Sequence, residues 1–136
     1  MSDFSWCLDG TKFLARDEVD CLREFSERIR LKGVQRDRFR LIRNWFIVEA
    51  GLETGLRVME LAALRCGDLL TASSRPEVIV RRGKGGRRRV VKVSRTFSKR
   101  CAWFLRRKVG AGEPVCHEEG DEPIACTNRS YFALFP

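Results

Sequence analysis

The apolar residues of this chain recur at helical spacing in four segments. Four helices are therefore predicted, over residues 13–32, 37–50, 56–66 and 95–109. Candidate caps and stops bound them, because serine and threonine side chains cap helix starts and glycine ends helices. These residues are Thr54 and Ser94 at the starts, and Gly33, Gly51, Gly67 and Gly110 at the ends.

A different pattern occupies the middle of the chain. Two β-branched runs, residues 77–82 and 88–93, flank the glycine-rich segment Gly83–Arg87. This composition predicts an antiparallel hairpin with a flexible turn. The glycines permit positive φ angles and close approach to a ligand, and Lys84 places a mobile charge at the turn. The turn is not a nucleotide-binding P-loop, because its glycines lead into a strand and not into a helix.

Together these elements predict an α+β fold that is mostly helical, with a small antiparallel sheet of two or three strands around residues 69–93. At 136 residues and 43% hydrophobic content, the chain has the size of one domain. Residues 1–12 are interpreted as an N-terminal arm and residues 13–136 as the domain. No window reaches the roughly 18 apolar residues of a membrane span, and the N-terminus lacks a signal-peptide pattern. A cytoplasmic protein without membrane contact is therefore expected.

The basic residues are concentrated in one stretch. Residues 75–108 contain 14 Lys and Arg but a single acid, Glu77, whereas residues 1–74 contain 12 of each sign. A solvated charged surface usually mixes the two signs. The one-sided stretch therefore favours a polyanionic partner, whose phosphates release counterions on binding. An anionic membrane surface fits less well, because the stretch has the pattern of strand, turn and strand and not of a long amphipathic helix.

The six cysteines are scattered without a tight pair, so reduced and mostly buried thiols are expected in place of disulfides. Zinc binding by Cys116, His117 and Cys126 is the alternative. These three residues lack the short C-x2-C spacing of structural zinc sites. No metal and no cofactor is therefore predicted.

One arginine breaks a local rule. Arg57 falls in the first turn of the predicted third helix, where the positive end of the helix dipole disfavours a cation. A charged side chain at a locally unfavourable position suggests a function. The alternative is a simple ion pair with Glu60, three positions further on, or with Glu53.

In three segments the chain resembles the tyrosine recombinases, the phage-integrase family. Residues 54–68, TGLRVMELAALRCGD, are similar to the family's first arginine box, T-G-[LM]-R-[IV]-x-E-[IL]-x-x-L-x-x-x-D. Residues 83–89, GKGGRRR, resemble the hairpin K-G-[GN]-K-x-R that carries the family's catalytic lysine. Residues 13–19, FLARDEV, are similar to the domain-opening F-L-T-x-E-E-[VL]. In this order the three segments are strongly specific, and the resemblance runs from about residue 13 to the end of the chain.

The resemblance implies metal-free phosphoryl transfer on DNA, in which a tyrosine attacks a phosphate, arginines bind its oxygens and a lysine protonates the leaving 5′ oxygen. By this correspondence Arg57 is the phosphate-binding arginine, Lys84 is the general acid, and Glu60 orients or buffers the charges. Further DNA contacts are predicted on the hairpin and the fourth helix, from Arg81, Arg82, Arg87, Arg88, Arg89, Lys92, Lys99 and Arg100.

Parts of the family's pattern are missing. Its second arginine lies in a His-x-x-Arg motif, whereas the single histidine, His117, is followed by Glu-Glu-Gly. The nucleophile's C-terminal segment is not found, and Tyr131, the only tyrosine, lies in an apolar context unlike the family's. The family's separate N-terminal DNA-clamping domain is also missing. The chain thus looks like the first two-thirds of a catalytic domain, and exposed apolar surface near its C-terminus favours self-association.

Three functions are open at this point. The favoured one is an integrase-like protein that binds double-stranded DNA without cutting it. The second is half of a recombinase, completed by another chain that supplies the tyrosine and the second arginine. The third is a non-catalytic regulatory or RNA-binding protein. For the favoured function, replacing residues 87–89 with alanine is expected to weaken the salt dependence of DNA binding without unfolding the protein.

Overall fold

A computed structural model of the chain describes residues 13–70 and 73–112. Besides two short 3-10 helices, Cys66–Asp68 and Lys84–Gly86, four α-helices and three short strands follow one another in this part of the chain. They are α1 (Arg16–Gln35), α2 (Phe39–Thr54), α3 (Val58–Ala62), β1 (Leu69–Leu70), β2 (Glu77–Val80), β3 (Arg89–Lys92) and α4 (Arg95–Gly110). The predicted α+β class, mostly helical with a small antiparallel sheet, is confirmed.

Three predicted helix stops are wrong. Helix α3 already ends at Ala62, and Gly67 lies in a 3-10 helix, Cys66–Asp68. Gly33 and Gly51 both lie inside helices, because α1 continues to Gln35 and α2 to Thr54. Gly33 is buried, and a Cβ atom there would come within 2.9 Å of the Ile42 side chain. The glycine lets α1 pack closely against α2 and does not end its helix. The actual stop of α2 is Gly55, which adopts a left-handed φ of 61°.

Helix α4 has the predicted bounds to within one residue. The Ser94 hydroxyl accepts a hydrogen bond from the Phe97 backbone N–H at 3.1 Å, which satisfies one of the open donors of the first turn. The helix then runs to Gly110. The start of the helix is set by a local side-chain hydrogen bond, which is why sequence alone located it.

A stack of aromatic rings joins α2 to α4 in the core. Phe46 is fully buried, and its ring lies 4.1 Å from that of Phe104 at an interplanar angle of 7°. Phe97 stacks on Phe46 as well, at 5.8 Å. Beside the rings, the buried carboxylate of Glu49 binds Arg100 of α4, while Arg23 of α1 lies 3.9 Å away. Helices α1, α2 and α4 are thus held together by packing and by one shared carboxylate.

The three strands form an antiparallel sheet in the order β1-β2-β3. Val78 and Val80 of β2 are buried against the core, whereas Ile79 between them is half-buried. The register sets Val80 opposite Arg89 at the turn end of the hairpin. This pairing brings the arginine to the edge of the sheet that faces α3.

Among the described cysteines, Cys66 and Cys101 are buried and Cys21 is exposed. Burial raises the pKa of the Cys101 thiol to about 12, so it is protonated and unreactive at neutral pH. No group of three or more metal-ligating side chains occurs within residues 13–70 and 73–112. Across the same residues, none of the helices has both the length and the apolar character needed to cross a bilayer.

Candidate functional site

Arg57 occupies a different position from the predicted one. It is the N-cap of α3, with an extended backbone (φ −67°, ψ 154°), and not part of the first helical turn. Its backbone N–H donates to the Glu60 carboxylate at 2.9 Å, so the acid caps the helix. Thr54, the predicted cap, lies in α2, where its hydroxyl donates to the Ala50 carbonyl. The expected conflict between Arg57 and the helix dipole is therefore relieved by Glu60.

A two-pronged ion pair connects α3 to the hairpin. The Arg89 guanidinium donates to Glu60 through Nη1 to Oε1 at 2.5 Å and through Nη2 to Oε2 at 2.9 Å. The Glu60 side chain is only 5% exposed, whereas that of Arg89 is 42% exposed. We call this pair the Glu60 clasp. It spans 29 positions of sequence, and it anchors β3 directly to the helix that Arg57 begins.

The turn of the hairpin passes against the Glu60 clasp at Gly83. A Cβ atom at this position would lie 2.7 Å from Arg89 Nη1 and 3.5 Å from Glu60 Oε1. The Arg57 guanidinium approaches the same oxygen, with Nη1 at 3.9 Å from Oε1. The Arg57 guanidinium and the start of the turn therefore both lie near the Glu60 carboxylate. Lys84, the predicted general acid, is the next residue of the chain and is exposed.

The clasp also determines the charge of Glu60. The hydrogen bond from Arg89 holds the pKa of Glu60 at about 2, below its usual value of 4.5. Burial acts in the opposite direction, while the Arg57 backbone N–H and the attraction of both guanidinium groups lower the pKa further. Glu60 is thus an anion throughout the physiological pH range, and it serves as an anchor for cations and not as a proton carrier.

This ionisation predicts a specific pH dependence of stability. Because the folded-state pKa of Glu60 is depressed, its contribution is fully present above pH 4.5 and is lost as the pH falls towards about 2. A Glu60→Gln variant cannot titrate at this position. The difference in urea midpoint between wild type and variant should therefore be largest near pH 6 and shrink between pH 4.5 and 2. A difference that stays constant over this range would contradict the clasp.

A second carboxylate repeats the arrangement eight positions later. Asp68 is 1% exposed, and its Oδ2 accepts from the Arg65 backbone N–H at 2.9 Å. Its Oδ1 accepts from Arg81 Nε at 2.6 Å. We call this pair the Asp68 clasp. In each clasp the carboxylate accepts from the backbone N–H of an arginine three positions earlier and so caps the turn that begins there. The same carboxylate also binds the side chain of an arginine of the hairpin.

A cavity of about 450 Å³ lies between the two clasps. Both acids contribute to its wall, together with Arg65, Arg81 and Arg82. Sequence reasoning did not assign Asp68 a role. The repeated spacing of Arg57 to Glu60 and of Arg65 to Asp68 is the signal from which its capping role could have been predicted.

The predicted DNA-binding residues fall into two groups. Three of them bind buried carboxylates: Arg81 binds Asp68, Arg89 binds Glu60, and Arg100 binds Glu49. The others are exposed and make no ion pair with another described residue, and these are Arg82, Arg87, Arg88, Lys92 and Lys99. The second group has side chains available for a polyanion. The first group would have to share its donors with an acid.

Because Arg89 belongs to the paired group, the variant with residues 87–89 replaced by alanine is no longer expected to change DNA binding alone. Loss of Arg89 would leave the Glu60 carboxylate buried without its main partner, so this replacement tests folding as well as binding. Arg87 and Arg88 are the informative positions for binding alone. The remaining residues singled out in the sequence, Cys116, His117, Cys126 and Tyr131, lie outside the described residues.

We compared the chain with protein-family models, with curated proteins and with solved structures, and none of them matches.

Proposed function

We propose that this chain is an integrase-like protein that binds double-stranded DNA through its hairpin and the start of α3. The proposal is supported by one observation: the Arg57 guanidinium and the turn at Gly83 both lie close to the same atom, Glu60 Oε1. The Arg57 side chain is 63% exposed, so its charge is held in place by Glu60 yet remains open to a ligand. A phosphate placed there would have Arg57 on one side and the turn with Lys84 on the other.

In this proposal the three residues have different tasks. Arg57 binds the non-bridging phosphate oxygens, for which a planar guanidinium is well suited. Lys84, the residue after Gly83, is exposed and would add an ammonium on the turn side of the same phosphate. Glu60 touches neither DNA nor reacting atoms, because its two oxygens accept from Arg89 and from the Arg57 backbone. It positions the cations.

Binding without cutting is the favoured form of the proposal. The sequence lacks an arginine three positions after His117, and Tyr131 does not match the family's nucleophile motif. Phosphate binding by the exposed hairpin cations needs neither group. Arg82, Arg87 and Arg88 extend the positive charge of the site along the turn.

The salt dependence of DNA binding tests this proposal. If about five phosphates are neutralised, the logarithm of the affinity for a short duplex should fall with the logarithm of salt at a slope of roughly −4 to −5. Replacing Arg87 and Arg88 with glutamine should reduce the steepness by about 2, one unit for each lost phosphate contact. Fluorescence anisotropy with a labelled duplex at several salt concentrations measures both values.

A matched control removes the same charge elsewhere. Arg36 and Arg40 are exposed and lie near the junction of α1 and α2, outside the basic stretch. Their replacement with glutamine should leave the slope unchanged. Salt-independent binding, or equal slopes for wild type and the Arg87 and Arg88 variant, would exclude the hairpin as the contact surface. Tighter binding of structured RNA at matched salt would favour the RNA-binding alternative, because A-form RNA presents a different groove and phosphate geometry.

A second candidate function is a recombinase half that another chain completes. It is favoured by two apolar side chains beside Arg57, since Val58 is 65% exposed and Met59 is 78% exposed. Such residues at the start of α3 would suit packing against a further protein segment. Mixing with a chain that carries the nucleophile should then give a covalent protein–DNA adduct that Arg57→Ala abolishes. If no mixture forms an adduct, this candidate is excluded.

A further inference from the structure

Helix α1 carries an apolar stripe that is only partly covered. Leu22, Phe25 and Ile29 follow one another at intervals of three and four positions, which places them on one face of the helix. Phe25 is 60% exposed, and the other two are half-buried. The helix packs through a different face, on which Ser26 and Gly33 are buried. The described part of the protein therefore leaves the Phe25 ring open to a partner.

The exposed charges of α1 are separated by sign along the helix. Residues 16–24 expose four acids and one base, whereas residues 28–35 expose two bases and no acid. The acids are Asp17, Glu18, Asp20 and Glu24, and the bases are Arg16, Arg28 and Lys32. The other charged side chains of the helix are half-buried and have partners in the same chain, because Arg23 lies 3.9 Å from Glu49 and Glu27 binds Arg30.

The helix dipole explains only part of this separation. It favours the two acids of the first turn and Lys32 in the last turn, but its effect fades beyond the terminal turns. Glu24 and Arg28 lie in the middle of the helix. Although they are four positions apart, neither makes an ion pair with another described residue. These exposed charges are thus available to a partner.

A second copy of α1, running in the opposite direction, complements both the stripe and the charges. In a twofold-symmetric contact, residue i of one copy meets residue j of the other, and j meets i. Glu18 and Lys32 each lie seven positions from Phe25, which is nearly two helical turns and about 10 Å along the axis. A twofold axis beside Phe25 therefore brings the two phenyl rings together and sets Glu18 opposite Lys32 of the partner subunit.

We propose that two copies of this chain associate through antiparallel α1 helices, with Phe25 at the twofold axis. A single pair of 20-residue helices forms a small interface, so the dimer is weak and depends on protein concentration. The apolar stripe supplies the affinity, while the charges select the antiparallel direction, because exposed ion pairs contribute little to affinity. The hairpin takes no part in this contact, and the association does not rest on the DNA-binding function proposed above.

Sedimentation equilibrium of the chain without DNA, over a range of concentrations, tests the contact. We expect a monomer–dimer equilibrium that Phe25→Lys weakens roughly tenfold or more, because each dimer contains this ring twice. The matched control is Leu31→Lys, since Leu31 is 48% exposed and lies on another face of α1, six positions away. Met59→Lys changes an exposed apolar residue of α3. Both controls should leave the equilibrium unchanged.

An exchange of charges tests the direction of the helices. Glu18→Lys alone and Lys32→Glu alone each set like charges opposite one another twice in a dimer, so each should weaken association a few fold. An equimolar mixture of the two variants should regain the wild-type affinity, because opposite charges then face each other at both positions. Glu18 also accepts from the Ala15 backbone N–H at 2.7 Å, so circular dichroism checks that α1 is retained. Lys32→Glu leaves this cap intact and gives the result by itself if Glu18→Lys loses helix.

Four outcomes would overturn the proposal. The first is a wild-type chain that stays monomeric at every concentration. The second is a dimer that Phe25→Lys and Leu31→Lys weaken equally, and the third is a dimer that only Met59→Lys weakens, which would place the contact on α3. The fourth is unchanged association of Lys32→Glu, which would exclude the antiparallel direction.

Discussion

Replacing Arg89 with methionine is expected to lower the melting temperature by an amount on the order of 10 °C, more than any other single replacement of a hairpin cation at residues 82–88. The reason is the unequal exposure of the two partners in the Glu60 clasp. Glu60 is 5% exposed, so loss of Arg89 leaves a buried carboxylate without its main partner. Thermal unfolding followed by circular dichroism measures the effect.

Two further variants distinguish an ion pair from ordinary packing. Arg87→Met makes the same chemical change two positions earlier, at an exposed side chain, and should alter the melting temperature little. Combining Glu60→Gln with Arg89→Met should recover part of the loss, because no charge then remains buried. If Arg87→Met and Arg89→Met destabilise the protein equally, the clasp does not hold the hairpin.

Reversing three charges of the turn should have the largest effect on DNA binding. Lys84, Arg87 and Arg88 are exposed and form no ion pair with another described residue, so their replacement with glutamate removes contacts without uncovering a buried acid. We expect the affinity for a short duplex at about 0.1 M salt to fall on the order of 10²-fold, as the loss of about three phosphate contacts implies. Anisotropy titration measures this loss.

The control for this variant is an equal change in charge at another surface. Arg36, Arg38 and Arg40 are exposed near the junction of α1 and α2, and their replacement with glutamate changes the net charge by the same amount. The affinity of this second variant should stay within a few fold of wild type. Equal losses in the two variants would mean that overall charge, and not the hairpin, attracts the DNA.

Local chemistry explains which elements the sequence could predict. Helix α4 and the hairpin were located because Ser94 and the glycines of the turn act through neighbouring residues. Gly33 was wrongly predicted to end its helix. A glycine is needed there because the Ile42 side chain of another helix leaves no room for a Cβ atom. Sequence cannot show such a contact before the packing of α1 against α2 is known. Arg57 was placed two positions too far into its helix, because the true cap position depends on the hydrogen bond from the Arg57 backbone N–H to the Glu60 side chain.

The candidate site could be predicted only in part for a related reason. The arginine box and the hairpin indicated Arg57, Glu60 and Lys84, and the structure brings Arg57, Glu60 and the residue before Lys84 together. The separation of the hairpin arginines into paired and exposed groups could not be predicted. It depends on the strand register, which sets Val80 opposite Arg89, and on the burial of Glu60 and Asp68.

Anchoring both strands of the hairpin has a consequence for the kinetics of any encounter with a ligand. Arg81 follows β2 and Arg89 begins β3, and each is tied to an acid outside the hairpin. Only the residues between them, with Gly85 and Gly86 both at a φ of 73°, are left to adjust. The entropic penalty of ordering therefore falls on a few residues at the tip, and preorganisation of the rest favours slow dissociation once a complex has formed.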